Sequence, residues 1–215
     1  MKIIGIIISV FVTFFGFSQI SYDFSIPLPP NENQVGTVST SHFGTFSSVE
    51  SNSVYEFNLK GIWIISTVYS SISKETVREN SKYTVKDGYI YGVATDSIPC
   101  VLEEDRYHFG IQNRDQLIGP NSKNVLKKLD ENKYILNFEE NGHFVPTLFV
   151  FKGKNLSVQQ FDYESGTTVF DSFELYSTLN KEKMDFITIT PTIKEWKKFD
   201  FERLLFGKEI LYLSK

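Results

Sequence analysis

Three histidines and one cysteine are the side chains of this sequence best suited to chemistry near neutral pH. His42, His108 and His143 have no H-E-x-x-H or other paired spacing that would present two metal ligands from one element. Cys100 is the only cysteine, so the chain has neither an intramolecular disulfide nor a paired-cysteine motif. The sequence therefore predicts no metal site and no cofactor.

Glu140 and His143 flank the dipeptide Asn141-Gly142, which is typical of a two-residue type I′ turn. This turn would place the two side chains opposite each other across a hairpin, where a carboxylate favours protonated histidine. One interpretation is a hairpin tip that responds to pH. The interpretation that we favour is a solvated turn pair contributing less than about 1 kcal/mol.

His108 belongs to a second predicted hairpin, with its turn at Glu104-Asp105. In that register His108 points away from the face that holds Tyr107 and lies beside Val101, so an exposed strand histidine is favoured over a catalytic one. The adjacent carboxylates lack the spacing of a calcium loop, and no phosphate-binding or G-x-S-x-G motif occurs. We predict no catalytic residues. The weak functional candidates are His143, Glu140 and His108.

Charge and aromatic content limit the partners. The formal net charge of −4 and the absence of a polybasic cluster exclude nucleic acid as an expected partner. Twenty Phe, eleven Tyr and two Trp supply large apolar side chains, most of which we expect in the core. The alternative is that some of them line a cavity or an exposed strip, which would bind a small apolar or carbohydrate ligand. A protein partner is a further alternative to such a ligand.

The first eighteen residues have the layout of a secretory signal peptide. Lys2 precedes an apolar run from Ile3 to Phe17, and the small residues Gly16 and Ser18 predict cleavage after Ser18. The run is shorter than the roughly 20 residues of a membrane-spanning helix, and no cysteine is placed for a lipoprotein anchor. We therefore expect a secreted or periplasmic protein with no integral membrane segment after signal removal.

The elements that must position these residues are β-strands. Residues 19–52, rich in Ser, Thr and Pro, indicate a tether or an irregular arm, and residues 53–215 indicate a single β-rich domain. Apolar runs separated by turns such as Asp87-Gly88 predict an antiparallel meander of roughly a dozen short strands, as a barrel or a two-layer sandwich. Helices are predicted at 73–80, capped by Ser73, and after the Thr192 to Glu195 capping box near the C-terminus.

Three function classes fit these observations. The first choice is a non-catalytic binding or interaction module. The second is a hydrolase whose site is assembled from residues far apart in the sequence. The third is a small outer-membrane barrel, although the strands are shorter and more charged than lipid-facing strands of about 10 residues.

Overall fold

The computed structural model of the protein describes residues 20–161, 176–181, 184–198 and 200–214. The predicted signal peptide lies outside these ranges. Within them, sixteen strands form one large sheet, which confirms the all-β prediction. The strands are β1 (Ile20–Phe24), β2 (Gln34–Val35), β3 (Gly44–Ser48), β4 (Ser53–Asn58), β5 (Gly61–Ser73), β6 (Thr84–Lys86), β7 (Tyr89–Tyr91), β8 (Ile98–Glu103), β9 (Arg106–Ile118), β10 (Val125–Lys128), β11 (Lys133–Glu140), β12 (His143–Lys152), β13 (Asn155–Phe161), β14 (Tyr176–Lys181), β15 (Met184–Ile189) and β16 (Phe206–Ser214).

The strand order is β14-β15-β1-β12-β13-β16-β3-β4-β5-β9-β8-β7-β6. Three further strands branch from β12: β11 pairs with β12, β10 pairs with β11, and β2 pairs with β10. All neighbours are antiparallel except β1 and β15, which run parallel. Pairing among the described strands does not close the sheet into a barrel.

At the end of β9, the side chains of Ser122 and Asn124 donate to the Leu117 carbonyl, at 2.6 and 2.9 Å. Loop side chains thus satisfy a carbonyl at this strand end.

The tight turns and their register follow the predicted hairpins. Asp87 and Gly88 both have positive φ, of 52° and 79°, as a type I′ turn requires. Lys86 is opposite Tyr89 as predicted, and Ile90 is fully buried while Tyr89 is exposed. Local turn chemistry therefore sets the register of these strands.

Three short helices lie within the described ranges: α1 (Lys74–Glu79), α2 (Ile193–Lys198) and α3 (Phe201–Leu205). The Ser73 hydroxyl caps α1 by accepting from the Thr76 N–H at 3.0 Å, as predicted. The capping box of α2 is also confirmed, because the Thr192 N–H donates to the Glu195 carboxylate and the Glu195 N–H to the Thr192 hydroxyl.

The centre of the sheet is buried on both faces. Tyr134, Leu136 and Phe149 lie in one apolar cluster, whereas Ile135 and Leu148 lie in another on the opposite side. A strand covered on both faces reads as a continuous apolar run, which explains Tyr134-Ile135-Leu136 in β11. The first cluster reaches from Phe46, Phe57 and Ile62 to Leu126, and the second includes Phe24, Phe161, Phe201 and Leu205.

Residues 20–48, for which the sequence indicates a tether or an irregular arm, contribute three strands and several buried side chains. Two buried polar residues hold this segment. Asn137 accepts from the Leu28 N–H and donates to the Leu28 carbonyl, both at 2.8 Å. Lys127 Nζ donates to the Pro29 carbonyl at 2.7 Å, and burial lowers the pKa of this amine. A segment of polar composition can therefore be ordered, because side chains of other strands form hydrogen bonds with its backbone N–H and carbonyl groups.

Two regions differ in construction. We call one region the body. It consists of the strands β1 to β4 and β10 to β16, numbered along the chain, and of those ends of β5 and β9 that lie beside them. We call residues 67–112 the arm; this region is separate from the N-terminal residues 19–52, for which the sequence indicates a tether or an irregular arm. In the arm, β5 and β9 continue past the body as a long ribbon of two 13-residue strands, and β8, β7 and β6 add beside β9. Only three side chains form its buried cluster: Ile90, Ile98 and Phe109.

Candidate functional site

The predicted Glu140–His143 hairpin has the expected register, with these residues opposite each other and positive φ at Asn141 and Gly142. The histidine, however, is near a different carboxylate. His143 Nδ1 lies 3.5 Å from Asp23 Oδ1 and also 3.5 Å from the Thr188 hydroxyl.

These contacts of His143 do not make a catalytic relay. A general base of the hydrolase kind uses one ring nitrogen for the nucleophile and the other for the orienting carboxylate. Here the carboxylate of Asp23 and the hydroxyl of Thr188 approach the same nitrogen. At His143 the geometry therefore supports a polar contact between β1, β12 and β15.

A cavity of about 270 Å³ opens beside this hairpin and includes the Glu140 carboxylate. Its other lining residues are amide, hydroxyl or apolar side chains: Phe138, Val145, Thr147, Gln160 and Phe161. Acid–base catalysis by paired groups needs a second titratable side chain in reach. Among the residues that line this cavity, Glu140 is the only one of that kind.

His108 lies in the arm, exposed on β9 and opposite Val101, as predicted. The described residues contain no group of three or more His, Cys, Asp or Glu side chains that could hold an ion, at His108 or elsewhere. The three sequence candidates are therefore in two separate places. Glu140 and His143 share one hairpin of the body, and His108 is on the arm.

The arm has two faces with different contents. The inner face, which carries the buried Ile90, Ile98 and Phe109, also holds Cys100. Burial raises the pKa of the Cys100 thiol, which disfavours the reactive thiolate. The cysteine therefore serves this small cluster as an apolar side chain.

The outer face of the arm displays large side chains to solvent. Tyr69 is 70% exposed, Val101 62%, and Tyr89 and Tyr91 42% each. Strand alternation puts all four on this side, with His108 between them. Of the ten large hydrophobic side chains exposed in the described part of the chain, six belong to the arm: Val68, Tyr69, Tyr89, Tyr91, Val101 and Leu102.

A row of residues crosses four strands of this outer face. Tyr69 is opposite Gly110, Pro99 is opposite Tyr89, and the pairing of Cys100 with Phe109 puts Gly110 beside Pro99. At about 4.8 Å per strand, the two tyrosine backbones are roughly 14 Å apart. Between the two backbones lie only Gly110 and Pro99, so no other large side chain stands in the row that joins the two tyrosines.

Gly110 makes room for the Tyr69 ring. A Cβ atom at this glycine would approach Tyr69 Cε1 to 3.3 Å and Thr67 Cγ2 to 2.9 Å. The ring therefore covers the glycine backbone while most of its surface faces solvent. Neither residue was a candidate from the sequence. The signal that could have identified them is the uncharged 13-residue run of β5, which is too long for the body alone.

Charged side chains lie at the margins of this row. Arg106 donates to the hydroxyl and carbonyl of Ser71, at 2.9 and 3.2 Å. Arg114 lies over the Trp63 ring at 5.1 Å and donates to Glu56 at 2.7 Å, near the body. Both guanidinium groups thus have partners within the protein. Lys86 is exposed opposite Tyr89 on the same face, so the uncharged part of the row runs from Tyr69 to Tyr89.

Comparison of the chain with protein-family models, curated proteins and solved structures gives no match. Across the described ranges, no helix combines the length and the apolar character that a membrane crossing requires.

Proposed function

We propose that this protein is a secreted or periplasmic binding module without catalytic machinery, and that the outer face of its arm binds a neutral carbohydrate chain. The single observation that carries the proposal is the row from Tyr69 to Tyr89, with the Tyr69 ring over Gly110 and largely exposed. The location rests on the predicted signal peptide.

A carbohydrate fits this surface better than a charged ligand. The C–H faces of a sugar ring are apolar and pack on an aromatic ring, while its hydroxyls need hydrogen-bonding groups around them. The outer face offers tyrosine rings together with Thr67, Ser71 and Gln112 on the same side of the ribbon. Its two arginines bond to groups of the protein, and Lys86 beside Tyr89 is a single exposed cation, so the face has no concentrated charge for an ionic partner.

A protein partner is the main alternative, because tyrosine is also enriched at the centre of protein interfaces. Such a centre is a contiguous, well-packed patch, whereas here the backbones of Tyr69 and Tyr89 are roughly 14 Å apart, with Gly110 and Pro99 between them. This spacing favours an extended, thin ligand that spans the row. We therefore place the carbohydrate first.

The test is binding of the mature protein, residues 19–215, to an array of neutral and charged glycans. The first variants are Tyr69→Ala and Tyr89→Ala, and the matched control is Leu59→Ala, which removes an 80% exposed side chain from the body. We expect binding to neutral oligosaccharides, and a loss of affinity in each tyrosine variant, because each removes an exposed aromatic ring on which a sugar face would pack.

The outcomes separate the alternatives. Binding that both tyrosine variants weaken and Leu59→Ala leaves unchanged supports the proposal. Capture of a protein from the native envelope that depends on Tyr69 would replace the carbohydrate by a protein at the same face. Binding that no tyrosine variant alters would contradict the role of the outer face.

A further inference from the structure

Over the arm, the outer edge of β5 is unpaired within the part of the chain that the structure describes. β4 pairs with β5 only from Gly61 to Ser66, and one further backbone bond runs from the Thr67 N–H to the Asn52 carbonyl at 3.1 Å. Beyond that bond, no described strand pairs with this edge up to the start of α1 at Lys74. Five residues, from Val68 to Ile72, therefore have β9 on one side and none of the described strands on the other.

The backbone groups that point outward along this edge can be identified. The Thr67 N–H points toward the β4 side, and the pairing with β9 is regular from Trp63 to Ser73. Alternation then directs the N–H and C=O of Tyr69 and Ser71 outward as well. The contact of Arg106 with the Ser71 carbonyl agrees with this assignment.

Most of the features that usually prevent strand pairing are missing from this edge; the exception is the Arg106 guanidinium, which occupies one acceptor position of the Ser71 carbonyl at 3.2 Å. Exposed edges are commonly blocked by lysine, proline, a bulge or a covering segment. β5 contains no charged residue and no proline, and its pairing with β9 has no irregularity along the arm. Val68 is 53% exposed on one face and Tyr69 70% exposed on the other. Such an edge is a ready template for another uncharged strand.

We propose that two copies of this protein pair through this edge, as an antiparallel dimer centred on Ser70. This register lets each copy use all five free residues. Val68 is then opposite Ile72 of the partner subunit, which places two apolar side chains together on the inner side. Tyr69 is opposite Ser71 of the partner subunit, a large side chain beside a small one on the outer side. The edge is thus complementary to itself.

The dimer joins the two arms into one continuous sheet. The two-fold axis is perpendicular to the sheet, so both outer faces point to the same side, with Tyr69, Tyr89 and Tyr91 of each copy on one surface. The tyrosine surface is doubled without any new contact in the body. The pairing itself does not depend on what the outer face binds, so it is independent of the proposed function.

The experiment is disulfide trapping at the two-fold axis, in a chain whose own cysteine is removed by Cys100→Ser. In this register Ser70 faces its own copy at a position without mutual hydrogen bonds, where Cα atoms are about 4.5 Å apart. That distance is within the range for a disulfide. Ser70→Cys should give a covalent dimer under mild oxidation, and Leu59→Cys, an exposed control on the body, should not.

Sedimentation of the chain without added cysteines gives an independent readout. We expect a concentration-dependent monomer–dimer equilibrium, and at least a tenfold larger dissociation constant for Val68→Lys, because that change puts a charge beside Ile72 of the partner subunit. Val68 is more than half exposed, so circular dichroism should show an intact fold. A chain that stays monomeric at every concentration, with Ser70→Cys no more cross-linked than Leu59→Cys, would overturn the proposal. Equal cross-linking of the two cysteine variants would also overturn it.

Discussion

The body and the arm of this protein are both built of β-strands, but they differ in how completely the side chains of those strands are buried. In the body, β11 and β12 are covered on both faces, and Ile135, Leu136 and Phe149 have no solvent exposure. In the arm, a five-stranded extension has a buried cluster of three side chains and exposes six large hydrophobic ones. The difference teaches that stability is concentrated in the body, while the surface that is open to a partner is concentrated in the arm.

The largest expected effect is in the body. Phe149→Ala removes a fully buried ring that contacts Tyr55 and Phe57 edge to face, at centroid distances of 5.3 and 5.8 Å. We expect a loss of about 3–5 kcal/mol in the free energy of unfolding, because a large cavity is left in a packed core. Urea denaturation followed by tryptophan fluorescence measures this. A loss below about 1 kcal/mol would show that the body is not tightly packed there.

A second prediction concerns how the body holds residues 20–48. Asn137→Leu leaves the buried N–H and carbonyl of Leu28 without their partners, at about 1–3 kcal/mol for each group. We expect a combined loss of about 2–5 kcal/mol and faster proteolysis near Leu28. Asn31→Leu, an exposed substitution in the same segment, is the control and should change little. Equal protease resistance of the two variants would mean that Asn137 does not anchor the segment.

The arm should respond locally. Ile90→Ala removes a fully buried side chain from the small cluster, which typically costs about 2–5 kcal/mol, and this cluster is separate from the two clusters of the body. Hydrogen exchange should accelerate in β6 to β8 and remain unchanged in β11 and β12, as expected for a region that opens independently. Equal acceleration in both regions would mean that body and arm are one cooperative unit, and the comparison would fail.

The smallest expected effect is an exposed ion pair of the body. Lys152 donates to Glu209 at 2.8 Å and lowers the pKa of that carboxyl below its usual 4.5. A lowered folded-state pKa adds stability above the unfolded value, and this stability is lost as the pH falls through the folded value. Glu209→Gln should therefore cost no more than about 1 kcal/mol at neutral pH and nothing in acid. A difference that grows on acidification would contradict this account.

The sequence predicts the local parts of this fold well. Asp87-Gly88 and Asn141-Gly142 define their turns, and once a turn is fixed, the alternation of side chains follows. The orientation of Tyr89, Ile90 and His108 could therefore be predicted. Pairing between distant strands could not be. The parallel pairing of β1 with β15 and the pairing of β16 with β3 join residues more than a hundred positions apart, and β13 pairs with β16 across more than forty.

The same distinction between local turns and distant strand pairing applies to the residues of the candidate site. Tyr89 and Tyr91 could be placed on one face from their own hairpin. Tyr69 joins them only because β5 pairs with β9 after an intervening excursion through β6, β7 and β8. The contact of His143 with Asp23 likewise depends on β1 and could not be read from the hairpin at Asn141-Gly142.

The central claim is that the arm contacts the partner and the body supports it. Hydroxyl-radical footprinting tests this most directly, with the mature protein measured alone and then mixed with the envelope fraction of the cells that make it. The account predicts that oxidation falls at Tyr69, Tyr89 and Tyr91 and stays constant at Leu59 and Leu213, exposed side chains of the body. Protection of the two leucines, with the three tyrosines unchanged, would contradict it.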